Sequence, residues 1–139
     1  MTRKVLLVVV AGVFLFGGIT ASAHHSQNAV FDVTKVVTME VTLVQLSFRN
    51  PHSFLQVETP GENGSKEPQR WSIEWGNAIQ LSFQGVDRNK LHYGDTLVIT
   101  ANTSRTPNDH KLHLLTIRRP SDGFGWGTKP GENTEGTPN

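Results

Sequence analysis

Apolar and polar side chains alternate with a period of two in five stretches of the chain between residues 36 and 118. This period is typical of β-strands that bury one face. In the first strand the alternation shifts by one residue between Leu43 and Leu46, which predicts a β-bulge or a sharp bend. The pattern predicts five strands, at residues 36–48, 53–59, 70–75, 96–101 and 111–118.

Turn-forming residues separate these strands. Asn50-Pro51 ends the first strand, because proline cannot donate a ladder hydrogen bond and restricts the residue before it. Residues 60–69 and 107–109 are rich in Gly, Pro, Asn and Asp, which favour turns. We therefore expect the second and third strands to form a hairpin.

The segment between the third and fourth strands fits two structures. Asn77 is a suitable N-cap and Gly85 a suitable residue after a helix C-terminus. Ile79 and Phe83 lie four residues apart, as on one face of a two-turn helix. The same two residues also alternate with Leu81 in a period of two, as in a strand. We favour a helix for this segment, with a strand as the alternative.

With a helix at that place, the predicted element order is that of the five-stranded OB-type barrel. The sequence therefore predicts a mainly β fold, a small OB-like barrel with one short helix between strands 3 and 4. We place this domain at residues 24–120. Residues 121–139 are poor in apolar groups, which predicts a flexible Gly/Pro-rich tail.

The beginning of the chain has the three parts of a secretory signal peptide. Basic residues at positions 3 and 4 precede an apolar run at 5–19, and Ala21-Ser22-Ala23 supplies the small residues of a cleavage site. The apolar run is shorter than the roughly 20 residues that a membrane-spanning helix needs. We predict that residues 1–23 are a signal peptide and that the periplasmic or secreted protein begins at His24. Its only expected membrane contact is through the signal peptide, before cleavage.

Charge and composition limit the function classes. Without Arg3 and Lys4, the 13 basic side chains become 11, against 12 acidic ones. This near-neutral balance disfavours phosphate binding, so we expect no nucleic-acid partner. The chain has no cysteine and no G-x-S-x-G motif, and we expect it not to be an enzyme.

Several short motifs occur in a specific order over roughly residues 21–118: Ala23-His24-His25-Ser26, Phe31-Asp32, Asn50-Pro51-His52, the spacing of Trp71 and Glu74, and Leu91-x-x-Gly94-Asp95. In these motifs the chain resembles the exported bacterial domain-of-unknown-function family 6152. The resemblance implies an exported small β domain and no known activity. The chain departs from the family pattern at residues 106–109 and in its long tail.

Cleavage before His24 would place an α-amine and an imidazole on one residue, in a chelating geometry. With His25 and His52, three or four nitrogen ligands would become available. Such an all-nitrogen, tetragonal set suits Cu(II) best, ahead of Zn(II) and Ni(II). Further candidate ligands are His113 and His92, and the candidates for orienting a ligand imidazole are Asp32 and Glu74.

Two other interpretations stay open. In the first, the histidines are ordinary polar surface residues, with His52 capping a turn. Trp71 and Trp75 share a strand face with Ile73, which indicates core positions, although exposed aromatics on an OB-type barrel would stack on a saccharide. The chain is therefore expected to be a binding or accessory module, either for a metal ion or, without metal, for an envelope protein or glycan.

Overall fold

The computed structural model describes residues 27–61 and 65–127. This part of the chain contains two short helices and six strands: α1 (Gln27–Val30), β1 (Phe31–Ser47), β2 (Ser53–Thr59), β3 (Gln69–Trp75), α2 (Ala78–Phe83), β4 (Thr96–Ser104), β5 (Lys111–Arg119) and β6 (Phe124–Gly127). All five predicted strands are present. The first begins five residues earlier than expected, and the ambiguous segment before β4 is helical.

Strand pairing closes a ring. The strands follow the order β3-β2-β1-β4-β5-β6, and β3 also pairs in parallel with the beginning of β5. All other pairings are antiparallel, including the predicted β2–β3 hairpin. The first five strands thus form a barrel, and β6 pairs with the second half of β5, beyond the contact with β3. The prediction of a mainly β, OB-like fold with a helix between strands 3 and 4 is confirmed.

Strand β1 is long and irregular, which lets it pair with two neighbours. Its register against β2 shifts between Leu43 and Gln45, which leaves Val44 as the extra residue of the predicted bulge. At this point Gly94, with a positive φ of 86°, donates its N–H to the carbonyl of Leu43 at 2.8 Å. The N–H of Leu43 in turn bonds to the carbonyl of Asp95 at 2.9 Å.

The core lies inside the barrel. Asn77 caps α2, because its side chain accepts a hydrogen bond from the N–H of Gln80 at 2.8 Å, and the helix places the buried Leu81 against the core. The inward positions of the strands alternate as the sequence predicts. They are Val41, Leu43, Leu55, Val57, Ile73, Trp75, Leu97, Ile99, Ala101, Leu112, Leu114 and Ile117.

The prediction of a flexible tail is wrong for its first residues, up to Gly127. Phe124 to Gly127 form β6, and Phe124 is buried. The ring of Trp126 meets that of Trp75 edge to face at 5.1 Å, and its Nε1 donates to Gln84 Oε1 at 2.8 Å. Two aromatic side chains therefore supply enough burial to order a glycine-rich stretch.

Two predicted features lie outside the described residues. They are the signal peptide at 1–23 with the following His24 and His25, and the tail from residue 128 onward. Within the described ranges, no helix has the length and apolar character needed to span a bilayer.

Candidate functional site

Barrel closure brings three of the candidate residues together on the outer face. His52 directly precedes β2, Glu74 lies in β3 and His113 lies in β5. The Nδ1 atom of His52 is 3.1 Å from Oε1 of Glu74. Glu74 and His113 are paired residues of the parallel β3–β5 contact. Since their chain neighbours Ile73 and Leu112 are buried, Glu74 and His113 point outward. We call His52, Glu74 and His113 the outer-face group.

The electrostatics of this group favour neutral His113. Partial burial is the main cause that lowers the pKa of His113. The Glu74 carboxylate opposes this shift, and His52 adds to it. A neutral imidazole has a free nitrogen lone pair, which is the form that binds a metal ion.

The loop before β2 holds His52 in place. The hydroxyl of Ser53 accepts a hydrogen bond from the Arg49 N–H and donates one to the Arg49 carbonyl, each at 3.2 Å. These bonds join the two ends of the loop that contains the cis Asn50–Pro51 bond. The loop is also tied to the helix, since the Ala78 N–H donates to the Arg49 carbonyl at 3.1 Å. The position of His52 therefore depends on β2 and α2 together.

The beginning of the described chain packs onto the same face. The rings of Phe31 and His113 are 5.5 Å apart, and Phe31 is only 3% exposed. Arg105 holds helix α1 through two hydrogen bonds. Its side-chain Nε donates to the Asn28 carbonyl at 2.7 Å, and its backbone N–H donates to the Val30 carbonyl at 2.9 Å. The segment that leads back to His24 and His25 thus begins next to His113.

The other sequence candidates do not join this group. The Asp32 carboxylate accepts hydrogen bonds from the hydroxyl and N–H of Thr34 at 2.7 and 3.1 Å, and these bonds are the main cause that lowers its pKa. It also forms ion pairs with Lys35 and Arg105. His92 is exposed in the turn before β4, where its N–H donates to Asp95 at 2.8 Å. Glu74, and not Asp32, is the carboxylate next to an imidazole.

The outer-face group is incomplete as a metal site on its own. Within residues 27–61 and 65–127, no group of three or more His, Asp and Glu side chains is arranged to hold a metal ion. A metal at this place would need ligands from the predicted mature N-terminus. His24 and His25, the residues nominated for this role, lie outside the described ranges.

Sequence reasoning missed two features of the site region. One is Phe31, which appeared only as part of a family motif and is in fact the contact that holds the N-terminal segment to His113. The other is a pocket at the beginning of β3, where Gln69 and Trp71 meet His110. A polar side chain two positions before an aromatic at a strand start was the only local signal for it.

The protein is thus a small, mainly β, OB-like barrel that has the outer-face group on its surface. The chain belongs to the family of unknown function DUF6152, whose sequence profile matches residues 13–113. The resemblance seen in the sequence motifs is therefore confirmed. The family description names no activity, and no curated protein matches the chain in sequence.

Two similar solved structures are crystal forms of the mitochondrial single-stranded DNA binding protein Rim1 from S. cerevisiae. The first is 9% identical, with 69% of this chain and 98% of that chain covered and a TM-score of 0.47. The second is 12% identical, with 62% and 93% covered and a TM-score of 0.46.

One prediction needs correction after this comparison. The near-neutral charge led us to exclude a nucleic-acid partner, but both similar structures are of single-stranded DNA binding proteins. The prediction that the protein has no nucleic-acid partner is therefore wrong as stated. At this identity the likeness describes the fold, and DNA binding is a property of those proteins.

Proposed function

We propose that the protein is an exported binding module that holds a transition-metal ion, Cu(II) in preference to Zn(II), between its processed N-terminus and the outer-face group. The observation that supports this most directly is the contact of His52 with Glu74 beside His113. These residues are far apart in sequence, and each has the side-chain chemistry of a metal ligand or of a partner that orients one.

The contact to Glu74 prepares His52 for a metal. In metal sites, a ligand imidazole usually presents one nitrogen to a carboxylate, which orients the ring and raises its basicity. Here Nδ1 of His52 faces Glu74 at 3.1 Å, so Nε2 is the nitrogen left for a metal. His113 would add a second imidazole from the neighbouring strand.

The remaining ligands would come from the amine and imidazole of mature His24, with His25 beside it. His25 precedes Phe31 by six residues, and Phe31 packs on His113. The step from His25 to Gln27 can span at most about 7 Å. The proposal therefore requires the chain at Gln27 to lie within this distance of the outer-face group. Nitrogen ligands in a tetragonal arrangement favour Cu(II).

The test is a Cu(II) titration of secreted protein whose N-terminus is verified as His24 by mass spectrometry. It is compared with a variant that carries Ser-Gly-Ser-Gly before His24. We expect this extension to weaken binding at least about tenfold, a loss of about 1.4 kcal/mol, because the amine chelate is removed. A single added residue would not serve, since it would place His25 third from a new free amine, which is itself a copper chelate.

The contribution of the barrel is tested separately. His52→Ala should weaken Cu(II) binding, whereas His92→Ala, which changes an exposed histidine outside the group, should not. Equal affinity of the mature, extended and His52→Ala proteins would exclude the shared site.

The second candidate function is a metal-free module that binds an envelope protein. Its support is the apolar outer side of α2, where Ile79 is 59% and Phe83 is 87% exposed, four residues apart. The N-terminal extension leaves this side unchanged. Protein isolated from its native envelope without copper or zinc, together with equal Cu(II) affinity of the mature and extended forms, would favour this alternative.

A further inference from the structure

We infer a second binding site, for a neutral saccharide unit, in the pocket between the beginning of β3 and the β4–β5 turn. The cavity measures about 310 Å³, near the lower end of the range for small-molecule sites. We call it the Trp71 pocket. The lining residues that matter for recognition are Gln69, Trp71, Ser104, Asn108, Asp109 and His110.

The aromatic wall of the pocket is held rigidly. Trp71 is half-buried and packs against the core on one side. Its Nε1 donates to Thr59 Oγ1 at 3.3 Å, and its ring meets that of His110 edge to face at 4.7 Å. A fixed aromatic ring provides apolar contact area without the entropy cost of ordering a side chain on binding. The C–H face of a sugar ring is a matching surface.

The amide of Gln69 supplies an unused polar group. Its Nε2 lies 2.8 Å from Nε2 of His110. Its Oε1 is buried and has no hydrogen-bond partner among the described residues. Buried polar atoms seldom lack partners in folded proteins. Because Gln69 lines the pocket, a turn of its side chain would present this oxygen to a ligand donor. A hydroxyl group can provide that donor.

The charges that line the pocket compensate one another. Asp109 lies 3.4 Å from the ammonium of Lys111 and also accepts a hydrogen bond from Ser104 Oγ at 3.1 Å. The charges of Asp109 and Lys111 are therefore already paired with each other, and neither is left to attract an ionic ligand. The combination of an aromatic wall, a free amide oxygen and neutral polar lining favours a hydroxyl-rich, uncharged ligand.

The position of the pocket agrees with this ligand class. The loop between strands 4 and 5 is one of the places where OB-type barrels bind oligonucleotides and oligosaccharides. The pocket includes no member of the outer-face group, so this inference and the proposed metal function can each fail without the other.

The experiment is a ¹H–¹⁵N NMR titration of the full processed protein with glucose, N-acetylglucosamine and chitotriose, and with glucuronate as the charged comparison. We expect saturable shifts of the Trp71 indole N–H and of amides in residues 103–111, at sugar concentrations up to about 50 mM. Absence of saturable shifts with all three neutral sugars would overturn the inference. So would saturation by glucuronate alone.

Gln69→Leu is the decisive variant, with Gln45→Leu, at an exposed position in β1, as the matched control. Gln69→Leu should weaken sugar binding at least about tenfold. Its melting temperature should change little, because the variant loses both a buried oxygen without a partner and the contact of Nε2 with His110. Unchanged binding in Gln69→Leu, or an equal loss in Gln45→Leu, would refute the assignment.

A second variant protects the test against a folding defect. Asn108 has a positive φ of 58°, which glycine also adopts, so Asn108→Gly removes the side chain while the turn is kept. We expect it to weaken sugar binding without altering amide signals outside the β4–β5 turn. Full affinity in this variant would likewise refute the assignment.

Discussion

The imidazole of His52 and the carboxylate of Glu74 are in contact, with Nδ1 and Oε1 3.1 Å apart. The two residues come from opposite sides of the β2–β3 hairpin, whose register places Ser53 opposite Trp75. The contact is partly exposed, so its electrostatic contribution to stability is small. Its consequence is orientation, because a ring held at one nitrogen presents the other in a defined direction.

Glu74→Gln tests this orienting role. The variant keeps the size of the side chain but removes its charge, so we expect Cu(II) affinity to fall about tenfold, the lower end for loss of an orienting partner. Isothermal titration against a competing chelator measures the change. Glu58→Gln is the control, since this carboxylate lies on neighbouring β2 and pairs with Arg70 at 2.8 Å. Equal affinities in both variants would contradict an orienting role.

Phe31→Ala tests whether the N-terminal segment is anchored at His113. Phe31 is almost fully buried, so the truncation should lower the free energy of unfolding by about 3 kcal/mol. It should also weaken Cu(II) binding, because the N-terminal ligands are no longer held near the barrel. Urea unfolding and copper titration measure the two effects. Val33→Ala, at a 50% exposed position in the same strand, should change stability by less than about 0.5 kcal/mol. Full copper affinity in Phe31→Ala would show that the anchor is not needed for binding.

Trp126 variants test the contribution of β6. Trp126→Ala removes the edge-to-face contact with Trp75 and the bond to Gln84, and we expect a loss of about 3 kcal/mol in unfolding free energy. Trp126→Phe keeps an aromatic ring and loses the Nε1 donor, so about 1 kcal/mol is expected. Chemical denaturation followed by circular dichroism gives both values. If neither variant changes the midpoint, β6 does not stabilise the barrel.

The Arg119–Asp122 pair predicts a pH dependence of stability. Arg119 donates to both carboxylate oxygens of Asp122, at 3.0 and 2.7 Å, and these bonds are the main cause that lowers the pKa of Asp122 to about 2 from 3.8. Because the folded pKa is the lower one, the pair stabilises the protein above about pH 4 and loses this effect as the pH falls towards about 2.

Asp122→Asn should therefore melt at a lower temperature than the unmodified protein near pH 6, and the two should converge near about pH 2. Thermal unfolding across this range is the measurement. The difference near pH 6 should shrink with added salt, because Asp122 is exposed. Glu40→Gln, at an exposed position in β1, serves as the control and should show no such convergence. A difference that persists at the lowest pH would indicate a cause other than the charge of Asp122.

Much of the barrel could be predicted from local patterns. The strands, the β2–β3 hairpin and the bulge at Val44 follow from alternation and turn residues within a few positions of one another. The helix of residues 78–83 was underdetermined, because a short apolar segment satisfies both periods; its cap at Asn77 and the burial of Leu81 decide for the helix. Strand β6 was not predicted, because Phe124 and Trp126 lie among glycines. The contacts of Trp126 are with Trp75 and Gln84, which are distant in the chain.

The sequence by itself determined most residues of the five barrel strands, which face of each of these strands is apolar, and which side chains have the chemistry of ligands. These properties depend on neighbours two to four positions away, so they are written in the local pattern. Only the tertiary structure decided that Glu74 lies beside both His52 and His113, that Phe31 covers His113, and that Gln69 is left with an unused oxygen. These contacts depend on the hairpin register and on the parallel pairing of β3 with β5, which joins strands that no local pattern relates.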